Sequence, residues 1–264
     1  IIGKNSLSFS YIKNISIPSS VTKIGKCSFE YCTQLQSIEF RADSKLQQIC
    51  PKAFGKSSIE CITIPSSVKK LEDGWCSEIS NLNTIKIVPN KIQNILYYED
   101  SFIIGKSDIT SDVYDNLLFA RRNINYAKIP SFIKRIDSYS FENCKSLKTI
   151  EFSDDSELQS IGKFSFSNSG IEKISIPPHL TIIEESSFSN CKMEKIEFLK
   201  DSKLKTIEKD AFFISEIDEL IIPSSVEKFE NEWCYQAIIE NVKVLQNKVQ
   251  NIILYDHSLI LGKL

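Results

Sequence analysis

A repeat of 22 to 24 residues, returning along most of the chain, constrains the fold more than any other feature. Residues 12–34 read IKNISIPSSVTKIGKCSFEYCTQ, residues 35–58 read LQSIEFRADSKLQQICPKAFGKSS, and residues 59–81 read IECITIPSSVKKLEDGWCSEISN. Units begin at 12, 35, 59, 82, 124, 147, 171, 193, 217 and 239. A segment this short holds too few apolar side chains to offset the entropy of ordering its own backbone. Stacked on its neighbours, it buries both faces, and stability then comes from the interfaces between units. The chain is thereby confined to a solenoid.

Each unit reads as one coil. Ile15 and Ile17 alternate with polar residues at the period of two that marks a strand, and β-branched side chains suit a pleated surface. The chain holds 41 Ile against 19 Leu, which extends that preference to every unit. Proline then stops the ladder for want of an N–H, at Pro18, Pro65, Pro130, Pro177 and Pro223. Alternate units carry Asp-Ser-x-Leu instead (Asp43-Ser44, Asp155-Ser156, Asp201-Ser202). Val21 and Ile24 bring the chain inward, and Phe29 fills the far side. Phe54, Phe141, Phe166, Phe188 and Phe212 take the same position, with Cys76 and Cys234, each preceded by Trp, expected to replace it in two units. The predicted coil is a short strand, a turn, an irregular or short helical return, and a second turn.

A longer repeat is superimposed. Trp75-Cys76 returns as Trp233-Cys234, and NKIQNILYYEDSFIIGK (90–106) returns as NKVQNIILYDHSLILGK (247–263). The expected organisation is one solenoid over 1–264. It has a first regular array at 12–89, an irregular interruption at 90–123, a second array at 124–246, and the start of another irregular segment at 247–264. The interruption is rich in aromatics (Tyr97, Tyr98, Phe102, Tyr114, Phe119). It reads either as a recognition loop or as an atypical coil.

The repeats resemble the BspA-like leucine-rich repeats of bacterial and protozoan surface proteins, and look most like the protozoan surface antigens. The resemblance rests on the Ile-Pro-Ser-Ser-Val turns, on Ile24-Gly25-Lys26 and Ile161-Gly162-Lys163, and on Ala53-Phe54 and Ala211-Phe212. It rests also on Phe-x-x-Cys at Phe29/Cys32, Phe141/Cys144 and Phe188/Cys191. It covers roughly 12–89 and 124–246. It implies a leucine-rich repeat solenoid with a parallel sheet along one side, a parallel β-helix being the alternative. It also implies a non-catalytic recognition or adhesion role at the cell surface, with protein or extracellular-matrix ligands. An intracellular protein-binding scaffold is the alternative role.

Composition narrows the remaining classes. With 32 basic and 34 acidic side chains the net charge is −2, which gives no footprint for nucleic acid. Two histidines, His179 and His257, lie in different units, and neither has a partner at ligand spacing, so no metal or other cofactor is expected. No P-loop, G-x-S-x-G, H-E-x-x-H or dinucleotide-binding string occurs, and serine without a nearby histidine is only a hydroxyl. The chain is therefore not expected to be an enzyme. No apolar run reaches the length of a membrane span. No signal peptide or anchor is visible, and the chain is expected to be a piece of something longer. Of eight cysteines, Cys32, Cys144 and Cys191 share one inward slot of the repeat and Cys76 and Cys234 another, as packing residues do, while Cys27, Cys50 and Cys61 take three other slots; all are expected to be free thiols. Acid pairs such as Asp154-Asp155 and Glu184-Glu185 read as solvated charge, and Trp75 and Trp233 as packing residues.

The outward residues of the strands offer the best candidate contact surface. One predicted ladder runs Ser16, Glu39, Thr63, Lys86, Lys128, Glu151, Ser175, Glu197, Ile221, Lys243. A second runs Asn14, Ser37, Cys61, Thr84, Tyr126, Thr149, Lys173, Lys195, Glu219, Asn241. Candidate ligand-binding residues on them are Glu39, Lys86, Tyr126, Lys128, Glu151, Lys173, Lys195, Glu197 and Lys243. Two readings stay open: a binding face, as solenoids commonly have, or cross-strand pairs that merely solubilise it. Open solenoid ends further suggest end-to-end self-association.

Overall fold

The structure, a computed structural model, describes residues 1–89, 94–108, 110–245, 252–255 and 259–262. His257 and residues 90–93 of the longer repeat lie outside the described residues. The chain forms two compact units, 1–123 and 124–264.

In the first unit, four strands make a parallel sheet in the order β1-β3-β5-β7. They are β1 (Asn14–Ile17), β3 (Ser37–Phe40), β5 (Cys61–Ile64) and β7 (Thr84–Ile87). Between them the two-residue strands β2 (Lys23–Ile24), β4 (Gln48–Ile49) and β6 (Lys70–Leu71) form a second parallel sheet. Three antiparallel strands follow, β8 (Ile95–Tyr98), β9 (Phe102–Gly105) and β10 (Asn116–Ala120), with a register shift between Leu117 and Phe119.

The second unit repeats the plan at greater length. Its long sheet is β11 (Tyr126–Ile129), β13 (Thr149–Phe152), β15 (Lys173–Ile176), β17 (Lys192–Phe198), β19 (Glu216–Pro223) and β21 (Ile238–Leu245). Its short strands are β12 (Arg135–Ile136), β14 (Ser160–Ile161), β16 (Ile182–Ile183), β18 (Thr206–Ile207) and β20 (Lys228–Phe229). An antiparallel pair, β22 (Ile252–Tyr255) and β23 (Leu259–Gly262), stands where the longer repeat places the counterparts of β8 and β9.

The leucine-rich repeat solenoid is the fold of each unit, and a parallel β-helix describes the same coils. Two sides of a coil are parallel strand ladders. The third side, foreseen as irregular or helical, is neither: among the described residues it contains no helix and is a regular series of turns. Alternate N–H groups reach the next coil, as in Cys27 to Pro51 O (3.1 Å), Phe29 to Ala53 O (2.8 Å) and Tyr31 to Gly55 O (2.9 Å). Those between bond three residues back: Ser28 to Gly25 O, Glu30 to Cys27 O, Cys32 to Phe29 O. Every donor of this run thus finds an acceptor, as buried backbone requires. The geometry sets left-handed residues four apart, at 27 and 31, 52 and 56, 139 and 143, 164 and 168, 186 and 190, 210 and 214, 232 and 236. Asn tolerates that conformation at 143, 168 and 190, whereas β-branched Ile214 (φ 53°) is strained there.

The repeat motifs acquire physical roles. In the proline turns Val21, Val68, Ile133, Leu180 and Val226 donate back to the proline carbonyl three residues earlier. In Asp-Ser-x-Leu the serine hydroxyl accepts the N–H of Leu46, Leu158 or Leu204. The Phe position builds a column of rings: Phe141, Phe166 and Phe188 stack at 5.1 Å each, and Phe188 to Phe212 is 5.6 Å. Phe29 and Phe54 stack at 5.5 Å in the first unit. Cys76 and Cys234 hold the Phe position of the backbone, as expected: Phe54 N donates to Trp75 O and Phe212 N to Trp233 O, as Phe29 N does to Ala53 O. The ring of the tryptophan before each completes the column, Trp75 and Trp233 meeting Phe54 and Phe212 edge-on at 6.1 and 5.9 Å.

In Phe-x-x-Cys the thiol reaches the preceding coil. Cys32 Sγ donates to Leu7 O (3.1 Å) and Cys191 Sγ to Phe166 O (3.0 Å), and Ser215 Oγ does the same to Phe188 O (2.6 Å). Cys and Ser recur in this slot, at Cys32, Ser57, Cys144, Ser169, Cys191 and Ser215. None of the eight cysteines forms a disulfide, and burial pushes the Cys191 thiol up to about 11.

One residue before the Phe, the position is occupied by Ser28, Ala53, Ser140, Ser165, Ser187 and Ala211. The hydroxyls of Ser28, Ser165 and Ser187 are buried with no hydrogen-bond partner among the described residues. Ser187→Ala is therefore expected to raise stability by about 1 kcal/mol and Ala211→Ser to lower it by a similar amount. Urea unfolding of both variants checks this, and a loss of stability in Ser187→Ala would show that the hydroxyl has a partner after all.

Candidate functional site

The long sheets place the outward residues in the predicted ladders. Ser16 faces Glu39, and Thr63 faces Lys86. In the second unit Lys128 faces Glu151, Ser175 faces Glu197, and Ile221 faces Lys243. The other ladder runs Tyr126, Thr149, Lys173, Lys195, Glu219, Asn241 without a break in register. Six strands at about 4.8 Å spacing make this face about 24 Å long. Its side chains stand outward because the positions that alternate with them are buried: Ala127, Ile150, Ile174, Ile196 and Leu220 are all 5% exposed or less.

Among the candidate residues, the structure joins some and separates others. Tyr126 donates its hydroxyl to Glu151, and Lys128 lies 3.9 Å from the same carboxylate. Lys173 pairs with Glu194 at 2.7 Å. Lys195 sits between Glu197 (2.6 Å) and Glu219 (3.6 Å), and Lys243 closes on Glu219 from the other side. Hydrogen bonds from Lys195 and Ser175 hold the Glu197 carboxyl below its usual range. The Lys243 hydrogen bond, opposed by desolvation and helped by the Lys195 charge, does the same for Glu219. The second unit's face is therefore a lattice of mixed charge, with Lys173 beside Lys195 and each lysine paired to a glutamate. These pairs are exposed, so each contributes little to stability. Glu39 and Lys86 belong to the first unit, apart from this lattice, and among the described residues Lys86 has no carboxylate within ion-pair distance.

Sequence reasoning missed one cluster. Glu184 does not behave as solvated charge: it receives Arg135 Nη1 at 2.6 Å and Nη2 at 3.3 Å, while Arg135 Nε donates to Asp137 at 2.7 Å. Burial works against the Arg135 charge, and its hydrogen bonds to Glu184 and Asp137 more than restore it. The scarcity of arginine, four in the chain, was the available signal. His179 is exposed, with Nδ1 3.1 Å from Ser156 O, and forms part of no cluster. Among the described residues no group of His, Cys, Asp or Glu could hold a metal ion, and no helix is long and apolar enough to cross a membrane. In the aromatic segment Phe102 and Phe119 are buried together with Leu117 and Ile103, Tyr97, Tyr98 and Tyr114 are half-buried, and Arg122 lies 4.2 Å over the Phe119 ring.

Solved structures share this architecture. The pneumococcal vaccine antigen PcpA matches with a TM-score of 0.71 and 20% identity, over 93% of this chain and 60% of that one. A leucine-rich cell surface protein from Faecalibacterium prausnitzii matches at 0.69 and 22%, over 90% and 61%. A leucine-rich repeat protein from Eubacterium ventriosum matches at 0.65 and 19%, over 94% and 73%. The chain thus spans about three-fifths of the length of the first two. No curated protein matches it. The description "BspA type Leucine rich repeat region" fits residues 1–115 and 112–239 with six copies. On that coverage, repeat for repeat, the chain belongs to the BspA-type leucine-rich repeat family.

Proposed function

We propose that this chain is a non-catalytic recognition module of a cell-surface protein, holding a protein or matrix ligand on the exposed strand face of its second unit. The observation that supports it is the unbroken register of polar side chains across six strands, β11 to β21. Such a face is rigid and pre-organised, so little entropy is lost when a partner lies on it. Its charges are internally paired, so recognition works by exchanging intramolecular for intermolecular pairs and not by long-range steering. The descriptions of PcpA as a vaccine antigen and of the Faecalibacterium protein as a cell surface protein agree with this location.

The test is binding of the labelled protein to intact cells and to immobilised matrix, read by fluorescence. Reversing Lys128, Lys173 and Lys243 to Glu is expected to lower binding about tenfold or more. Reversing Lys163 and Lys209, which pair with Glu185 and Glu232 away from this face, is expected to leave it unchanged. Equal losses in the two sets would reject the strand face. A second reading, an intracellular protein-binding scaffold, is favoured by the eight cysteines, none in a disulfide, which belong to a reducing compartment. Surface labelling of intact cells with a membrane-impermeant reagent separates the two.

A further inference from the structure

The first unit holds a cavity of about 400 Å³ on the outward face of β7, lined by Thr84, Lys86, Tyr97, Asp100 and Arg121 beside Ile85 and Ile87. Strand β7 is the floor. Tyr97 of β8 and Asp100 of the turn before β9 form one wall, and Arg121, just past β10, another. The parts are fixed by the fold. The Tyr97 hydroxyl donates to Asp100 O at 2.8 Å, Asp100 is held in a left-handed turn (φ 50°), and Arg121 N donates to Ser101 O at 3.0 Å. Burial pushes the Tyr97 phenol above its ordinary range, so its hydroxyl stays neutral and bonded to Asp100 O.

We propose that this cavity binds an acidic monosaccharide, a hexuronate, through its carboxylate. Two cations line it, Lys86 and Arg121. The strand-face lysines of the second unit named above each face a glutamate, whereas Lys86 has no carboxylate partner among the described residues. Guanidinium and ammonium together form the usual setting for one carboxylate. The single carboxylate of Asp100 repels a second acid group but accepts hydroxyl donors. A ligand with one acid group and adjacent hydroxyls therefore fits, and a dicarboxylate does not. Thr84 supplies a further hydroxyl, and the Tyr97 ring an apolar patch for the C–H face of a sugar. The volume lies at the small end of ligand sites, the size of a single residue and not of an extended chain.

This inference is independent of the strand-face reading, which concerns the other unit, and the two fail separately. Ligand-observed NMR titrations with glucuronate, glucose, succinate and a glutamate-containing pentapeptide test it. Glucuronate is expected to saturate in the millimolar range, with glucose and succinate at least about tenfold weaker. Lys86→Gln, an exposed change that leaves the fold intact, is expected to weaken glucuronate by about tenfold, and Asp100→Asn to let succinate approach it. Four results would each overturn the proposal: no saturation at concentrations on the order of 10 mM, glucose binding as well as glucuronate, indifference to Lys86→Gln, or the pentapeptide outcompeting the sugar acid.

Discussion

Replacing Phe166 by alanine is expected to destabilise the second unit by about 3–5 kcal/mol. Phe166 is fully buried, with Phe141 and Phe188 stacked on its two faces at 5.1 Å. Its removal costs the transfer energy of the ring and leaves a hole that neighbouring coils cannot close, since each coil is pinned by the hydrogen bonds of Phe166 N to Ser187 O and Phe141 N to Ser165 O. Two ring–ring contacts also disappear, each adding about 0.5–1.5 kcal/mol beyond area. In a repeat protein, stability is a sum over neighbour interfaces, so a defect at a central coil weakens both of its interfaces. Hydrogen exchange should accordingly quicken at Phe141 and Phe188 amides together, while equilibrium unfolding shifts to lower urea. Phe29→Ala, with one ring neighbour at 5.5 Å, is expected to cost less. A cost below about 1.5 kcal/mol for Phe166 would mean that the column of rings is not what holds the coils in line.

The legible part of this fold is the part governed by side-chain periodicity. Ile15 and Ile17, Ile174 and Ile176 announced strands, and their register followed because coils of near-equal length bring equivalent residues side by side. The proline turns and the Phe column were readable for the same reason. The return side was not, because its order lies in backbone hydrogen bonds that alternate between neighbours, and asparagine or glycine marks only a minority of its left-handed positions, at Asn5, Gly74, Asn143, Asn168 and Asn190. Trp75 was displaced by one residue from the Phe frame, and Cys76 stood in the expected slot; size, not position, decided which filled the core. At the candidate face, the outward ladders could be written down from the sequence, but their pairing could not. Whether Lys173 reaches Glu194 on one side or Glu151 on the other depends on side-chain reach between coils, which the alternation rule does not encode. The β7 cavity escaped notice because it joins Lys86 of a regular coil to Tyr97 and Arg121 of the interruption, residues that no repeat relates.

Arg135→Met is expected to destabilise the second unit by about 2–3 kcal/mol, somewhat below the range for breaking a fully buried ion pair because its guanidinium keeps some contact with water. One side chain here ties three successive coils. Arg135 lies on β12, donates to Ser160 Oγ on β14 at 3.1 Å, and forks onto Glu184 just beyond β16. The residue between Asp137 and Glu184 in that column is Gly162, whose missing side chain leaves the way open. A Cβ there would fall 2.7 Å from Ser138 N and 2.9 Å from Asp137 C, so glycine is also required by the close approach of the coils. The carboxylates are largely enclosed, with Asp137 9% and Glu184 14% exposed at the side chain, so removing the guanidinium takes the forked partner from Glu184 and one donor from Asp137. Lysine keeps the charge but has no planar fork, and Arg135→Lys should recover under half of the loss. The decisive measurement is a double-mutant comparison by urea unfolding. Arg135→Met with Glu184→Gln should be more stable than Arg135→Met alone, because neutralising Glu184 removes a charge that no longer has its partner. If the double variant is instead the less stable of the two, the cost of Arg135→Met comes from lost packing of its aliphatic stem, and the three-coil clamp contributes nothing through charge.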